Sequence, residues 1–455
     1  MVRALGSSRS PGNPAQVPDH VALIGFLAKT LIMGGKPALS VAFPMNRQHL
    51  AHAVRERLVR LPAPYDNHYG VVPPPPEDGL PFPGALDRLV AASAALARIQ
   101  TIARDMADPY LISRILTRRE AVSSSSIEGT NSTLDELLEI DDAGDPAAVP
   151  SGQVRQVREY ALSLDRLLPQ ARARGTAIFD IDLIRHLHAE VMRSDPDFAD
   201  VPGEWRRRVV WIGGTGNIAY STWNPPPPDR IAGCLTETVE YLRNEGMQSM
   251  TRNLVVRMAV SHAHFEAVHP FRDGNGRVGR LLLPLMMAAE GQVPLYLSPY
   301  IDAHKGAYYA ALKGAQQRLD WEAVIGFVAD AVVATTDELM VTRQAFARLR
   351  AAWEVRRRFR RGSAALRTLD LLPHYPVLTV RRLASLLDVT TPQAGQAVGQ
   401  LVAAGILTER TGYARNRIFA AGEVLAIVSR PFGVEPILPV LDGGEGAAGL
   451  SAGPG

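Results

Sequence analysis

The sequence predicts a mainly α-helical protein with one small β-hairpin and a separate helix-turn-helix module near its C-terminus. Three observations lead there. Apolar residues recur at helical spacing from residue 84 to about residue 348. One segment, residues 206–231, interrupts them with two short β-branched runs around a Gly-rich turn, and Pro225 to Pro228 close it. A basic stretch, AAWEVRRRFRRGS, then separates this body from a short module over residues 364–430.

Residues 1–44 read as a disordered or mis-started tail, because the first twenty are rich in Gly, Ser, Pro and Asn. Met45 then begins a charged pattern, MNRQHLAHAVRERLVRL, that predicts a helix over residues 45–61. Residues 62–83 are too proline-rich for a helix interior and read as extended. Two helical patterns follow, ALDRLVAASAALARIQTIARDM and DPYLISRILTRREAVSSSSIEG, so residues 45–150 form an N-terminal helical region. Residues 151–345 form the main core, 346–363 a linker helix, 364–430 the module and 431–455 a Gly/Ala-rich tail. Within the module, Val380 to Leu387 and Gln393 to Ala404 are the helices, Pro392 suits a helix start, and ILTER and RIF flank a turn that carries Arg410, Arg415 and Arg417.

Composition excludes several classes. With 46% hydrophobic and 21% charged residues the chain is an ordinary globular one, neither disordered throughout nor collagen-like. The formal charge of +3 is too small for a chain that coats nucleic acid, so any basic patch is local. The apolar stretch 21–43 is broken by Lys29, Gly34, Gly35, Lys36 and Pro37, which argues against a membrane span. The single cysteine, Cys234, reads as a buried structural thiol and fits a reducing, cytoplasmic setting.

The chemistry concentrates in His269-Pro270-Phe271-Arg272-Asp273-Gly274-Asn275-Gly276-Arg277-Val278-Gly279-Arg280, between two helical patterns. Pro270 favours a break after the first helix. Gly274 and Gly276 allow a tight turn whose N–H groups form an anion-binding concavity, and Asn275 is the expected N-cap of the second helix. The positive end of that helix would face a phosphate. Arg277 and Arg280, three apart, are expected on one helix face. Asp273 offers a carboxylate to Mg²⁺, and His269 has the ordinary pKa range of a general base. His262, His264 and His269 are spaced by two and five, which does not suit helical zinc ligands.

This stretch resembles the Fic family motif HxFx[D/E]GNGRxxR and matches it at every specified position. The resemblance implies a Fic (Fido) helical core, with the hairpin 206–223 as a flap that pairs with a protein substrate. It implies a protein adenylyltransferase that moves AMP from Mg²⁺-ATP to a Ser, Thr or Tyr hydroxyl, on itself as well as on a target. In that reading His269 is the base and Asp273 holds Mg²⁺. Gly274, Asn275 and Gly276 cradle the α- and β-phosphates, Arg277 also contacts phosphate, and Arg280 holds the γ-phosphate. Phe271 fixes the loop. Tyr308 or Tyr309 lies near the adenine, with a packing role equally open.

The run Ser124-Ser125-Ser126-Ile127-Glu128-Gly129 resembles the inhibitory motif [S/T]xxxE[G/N] of the same family. Ser124 and Glu128 share a helix face and Gly129 ends the helix. The resemblance implies that Glu128 pairs with Arg280 and excludes the γ-phosphate. The C-terminal module resembles a winged helix-turn-helix. Its second helix offers Gln393, Gln396 and Gln400 but no Lys or Arg, so DNA, a protein partner and a second copy of the chain all remain open. The rival readings are a phosphotransferase or other nucleotidyl transferase on the same scaffold, and a DNA-binding regulator that senses nucleotide.

Overall fold

The structure, a computed structural model, describes residues 45–74, 82–104, 113–142, 152–214, 216–245, 252–412 and 416–438. The tail 1–44, residues 439–455 of the expected C-terminal tail, and Arg415 lie outside the described residues. The helix expected over residues 45–61 is replaced by a short helix α1 (His52–Glu56) and a strand β1 (Leu58–Arg60) paired antiparallel with β2 (Tyr69–Val71). Tertiary pairing overrides propensity here. Arg57 leaves the helix and donates to Pro73 O at 3.1 Å, while Leu50, Val54 and Val71 bury themselves against Trp223 and Ala267.

The main body runs through α2 (Leu86–Arg104), α3 (Ser113–Ile127), α4 (Leu134–Asp142), α5 (Gln153–Arg174), α6 (Ile181–Met192), α7 (Ile231–Arg243), α8 (Leu254–Val268), α9 (Asn275–Ala289), α10 (Ser298–Ala303), α11 (Lys305–Arg318) and α12 (Trp321–Arg356). At its centre lies α8. Asn253 caps it by accepting from Val255 N at 2.9 Å, and every residue from Val255 to Val268 is buried. A helix apolar on all sides is stable only when enclosed, and α7, α9, α11 and α12 enclose it. Truncating Phe265 at its core would cost ~3–5 kcal/mol. That rigidity matters because α8 and α9 supply the two ends of the loop 269–274.

With 36 residues, α12 is about 54 Å long at 1.5 Å per residue. Its first half, including Ile325 and Val332, belongs to the main core. Ala345, Leu349 and Trp353 in its second half belong to the core of the C-terminal module. The expected linker helix is therefore the continuation of a core helix, and it ends at Arg356. The module consists of α13 (Ala364–Leu371), β3 (Val377–Thr379), α14 (Val380–Leu387), α15 (Thr391–Ala403), β4 (Thr408–Glu409), β5 (Ile418–Ala420) and α16 (Gly422–Val428), with an antiparallel sheet in the order β3-β5-β4. Asp388, at φ 52°, ends α14, and a Thr390/Gln393 capping box starts α15. Phe432, in the expected tail, packs edge-on against Tyr300.

The hairpin expected at residues 206–223 is not a strand pair. A single bridge joins Ile212 to Trp223, with Ile212 N donating to Trp223 O at 2.8 Å. Gly213, Gly214 and Gly216 all take positive φ, and a 3₁₀ turn (Ile218–Tyr220) follows, so among the described residues no ladder propagates beyond that pair. Among the described residues, no helix is long and apolar enough to cross a membrane.

Candidate active site

At the end of α8, His269 adopts φ 45°, ψ 62°, the left-handed conformation that turns the chain out of the helix before Pro270. The loop beyond it is fixed from three sides. Phe271 is fully buried and stacks on His188 at 3.7 Å between ring centroids. His188 accepts from Gly203 N at 2.8 Å through Nδ1, so its Nε2–H donates to Asp273 O at 3.1 Å. Burial pushes its pKa down to about 4, which keeps the ring neutral. From the other side Arg206 donates to His269 O at 2.8 Å, Pro226 O at 2.6 Å and Arg208 O at 3.2 Å. Its own N–H donates to Pro270 O at 3.0 Å. Burial lowers this guanidinium's pKa to about 10, still charged at neutral pH.

Asn275 does not cap α9. Gly274, at φ 77°, occupies the cap position, and Asn275 is the first helical residue. Its side chain reaches back across the loop, accepting from Phe271 N and donating to Phe271 O, both at 2.9 Å. A Cβ at Gly274 would stand 2.8 Å from Met192 Sδ, so the close approach of α6 requires glycine as much as the dihedral does.

The first N–H groups of α9, from Asn275 to Arg277, precede the first intrahelical bond, Val278 N to Gly274 O at 3.1 Å. Glu128 and Arg280 lie beside this first turn. A Cβ on Gly276 would collide with Glu128 Oε1 and with Arg280 Nη1. Arg280 Nη2 donates to Glu128 Oε1 at 2.6 Å and to Ser124 O at 2.9 Å, and its Nε donates to Ser124 Oγ at 2.9 Å. Burial of Arg280 opposes its charge, but the adjacent Glu128 carboxylate more than offsets this and raises the pKa above its ordinary value. Gly129, at φ 83°, terminates the α3 end that carries Glu128. Lys305 fastens the same end by donating to Ser126 O at 3.2 Å.

Arg277 and Arg280 do not converge. Arg277 is buried toward α5 and α6, donating to Gln156 Oε1 at 3.1 Å, and it pairs with Asp273 at 3.7 Å. The Asp273 carboxylate accepts from Gly274 N at 2.6 Å and is otherwise exposed, at 61%. The His269 side chain is 23% exposed, with Nδ1 3.9 Å from Glu266 Oε2. Burial and then the Arg206 charge push its pKa down to about 4, so the imidazole is neutral at pH 7. Glu266 Oε1 has no hydrogen-bond partner among the described residues, and burial pushes this acid up to about 7.

Tyr308 is buried and bonded through its hydroxyl to His262 Nε2 at 2.8 Å, whereas Tyr309 is 45% exposed. His264 turns away to Thr238 Oγ1 at 2.9 Å. Cys234 is buried, and burial pushes its thiol up to about 11. Two positioning residues, Arg206 and His188, carried no sequence signal. Arg206 opens the stretch read as a hairpin, and His188 lies on α6 with no motif around it. Arg410, one of the expected wing cations, donates to Asp135 Oδ2 at 2.7 Å, and Arg417 to Glu409 Oε2 at 3.1 Å.

Residues 178–287, which hold this loop and the helices around it, match the Fic/DOC family, and residues 86–166 match the Fic/DOC family N-terminal domain. The chain contains a Fic domain. It is 26% identical over 217 residues to a probable protein adenylyltransferase of Aquifex aeolicus, covering 46% of this chain and 62% of that protein. It is 29% identical over 192 residues to a protein adenylyltransferase of Caenorhabditis briggsae (41% of this chain, 34% of the relative). It is 30% identical over 217 residues to a protein adenylyltransferase of Drosophila sechellia (47% and 40%). The chain thus spans from 34% to 62% of the lengths of these relatives. A solved Fic family protein from Desulfovibrio desulfuricans G20 superposes with a TM-score of 0.48 at 19% identity, over 76% of this chain and 98% of that one. In this Fic domain Glu128 belongs to the N-terminal match, and His269 to Arg280 to the core match.

Proposed function

We propose that this chain transfers AMP from ATP to a hydroxyl side chain of a protein, and that Glu128 restrains the reaction. The observation that carries the reading is the loop between α8 and α9, where a neutral His269 ends α8 and Glu128, beside Gly276 in the first turn of α9, holds Arg280. His269 accepts the proton as the Ser, Thr or Tyr oxygen forms a bond to the α-phosphorus. The bond to the β-phosphate bridge breaks, and pyrophosphate leaves. The first amides of α9 and the Arg277 guanidinium bind phosphate oxygens, and Arg280, once released from Glu128, orients the γ-phosphate. Asp273, an exposed carboxylate at the loop's edge, is the residue that would hold Mg²⁺, and one carboxylate plus substrate phosphates suits that ion. Mg²⁺, when bound, screens the phosphate charge. Exposed Tyr309 is the ring available to an adenine.

The protein substrate docks, in this reading, along the open segment before Ile212, and the chain serves as its own substrate. The order of helices and strands in the C-terminal module supports a winged helix. Two negative groups a few ångströms apart in a half-enclosed site repel by about 4 kcal/mol at an effective dielectric of about 20, so Glu128 and a γ-phosphate exclude each other. The test is parallel labelling with α-³²P and γ-³²P ATP, read on the protein and its lysate targets. Label from the α-position alone supports adenylyl transfer. Label from the γ-position would make the protein a phosphotransferase.

A further inference from the structure

Resting on the reading that Glu128 closes the site, we propose that the C-terminal module braces the inhibitory helix α3, and that lifting the module off α3 and α4 opens the site. The side of α3 and α4 that the module covers lies at the opposite end of α3 from Glu128. Ile115, Leu134 and Leu138 share one apolar cluster with Val377, Ile418, Ala420, Leu425 and Val428, so the sheet and last helix of the module complete a core that α3 and α4 cannot close alone.

Polar contacts reinforce this seam along its length. Arg114 donates to His374 O at 3.2 Å, and its guanidinium lies 4.6 Å from the centre of the Tyr375 ring. Arg119 on α3 donates to Glu338 Oε1 at 3.0 Å and to Arg430 O at 3.1 Å. Arg430, just past α16, is itself 2.8 Å from Glu338 Oε1. One buried carboxylate on α12 therefore ties the inhibitory helix to the end of the module. At the outer edge Arg410 pairs with Asp135 at 2.7 Å and approaches Glu139 at 4.0 Å.

Because a helix moves as a rod, a shift at Arg114 and Arg119 is transmitted to Glu128, about 21 Å along the axis from Arg114 at 1.5 Å per residue. The chain reaches the module through α12, which belongs to both cores. The module can thus separate from α3 without breaking either core. Arg410 sits in the seam, so any ligand that takes this arginine competes with Asp135 for it.

The test uses the full chain and two perturbations away from the loop. Glu338→Gln removes the shared charge without changing shape. Arg410→Glu reverses the outer pair, whose side chains are 28% and 41% exposed and so tolerate substitution. Each is expected to raise α-³²P self-labelling about tenfold by shifting the closed-to-open population. Arg410→Glu with Asp135→Arg should return labelling to the parental level. In a Glu128→Gly background neither change should add more than about twofold, because the plug is already gone. Parental labelling by folded Arg410→Glu and Glu338→Gln proteins, alongside strong labelling by Glu128→Gly, would overturn the brace and leave the inhibitory reading standing. Full additivity with Glu128→Gly would also overturn it, since the effect would then act elsewhere. A Glu128→Gly protein no more active than its parent would remove the inhibitory reading itself, and the brace with it.

Discussion

Two glycine-rich turns lie on the same side of this molecule, and they behave differently. Residues 269–280 form a cradle in which Phe271, Asn275 and Asp273 are each bonded or stacked to a neighbour, and Gly274 is pressed against Met192. Residues 206–223 carry as many glycines, three, but among the described residues only one bridging pair, and a Cβ at Gly216 would meet nothing within 4 Å. The difference comes from what flanks each turn. Two long buried helices fix the ends of the first, and Arg206 ties its carbonyls down. The second runs into four prolines that donate no backbone hydrogen bonds. Glycine permits a conformation; the surroundings decide whether the turn is held in one.

The proposed function assigns chemistry to the first turn and substrate contact to the second. His269→Ala should lower transfer by ~10²–10⁴-fold with folding intact, whereas Tyr220→Ala in the second turn should change it only a few-fold. Quantified labelling at saturating ATP separates the two. Next in size is Arg206→Ala, which strands several buried carbonyls at ~1–3 kcal/mol each and should lower the thermal midpoint sharply. A smaller contrast is Gly274→Ala against Gly216→Ala. The first meets both a left-handed φ and Met192, at roughly 2–4 kcal/mol, and the second meets the φ alone, at roughly 1–2 kcal/mol. Equal denaturant midpoints for that pair would remove the distinction between the turns.

The same site also sets a pH slope. His188, His262 and His269 are held at about 4, about 3 and about 4, all below the usual value for histidine. Folded pKa values depressed in this way give stability that is present above about pH 6.5 and lost as pH falls toward 4, because the unfolded chain then binds more protons. Glu266, raised to about 7, acts oppositely: its contribution is present at low pH and lost as pH rises through 7. The three histidines outweigh the one acid, so the thermal midpoint should fall between pH 6.5 and 4. Replacing His188 with Gln should flatten that fall.

The loop was legible in the sequence because its chemistry is contiguous and helical periodicity brackets it. Gly274 and Gly276 announced the turn, although the roles of Gly274 and Asn275 were exchanged: a side chain that can cap a helix can equally brace the loop before it. The pairing of Glu128 with Arg280 spans 152 positions, and only the family resemblance pointed to it. Arg206 was illegible because its role depends on carbonyls that converge only after folding. Strand β1 was misread as part of a helix, because local propensity carries no information about Trp223 and Ala267, against which that segment packs. The seam between α3 and the C-terminal module joins residues some 260 positions apart through ordinary apolar side chains, so nothing in the sequence marked it.

The central claim is that Glu128 occupies the phosphate cradle and holds Arg280. Its most direct test is the intact mass of the full chain after incubation with ATP and Mg²⁺, parent against Glu128→Gly, with Glu128→Gly, Arg280→Ala as the control. Glycine at that helix end costs at most ~1 kcal/mol in propensity, and unpairing the buried Arg280 adds to that, so the thermal midpoint of the variant is measured alongside. The account predicts adenylylated species in Glu128→Gly well above the parent, and their loss in the double variant. Equal adenylylation of parent and Glu128→Gly would contradict it, and Glu128 would then be no more than a helix-end partner of a buried arginine.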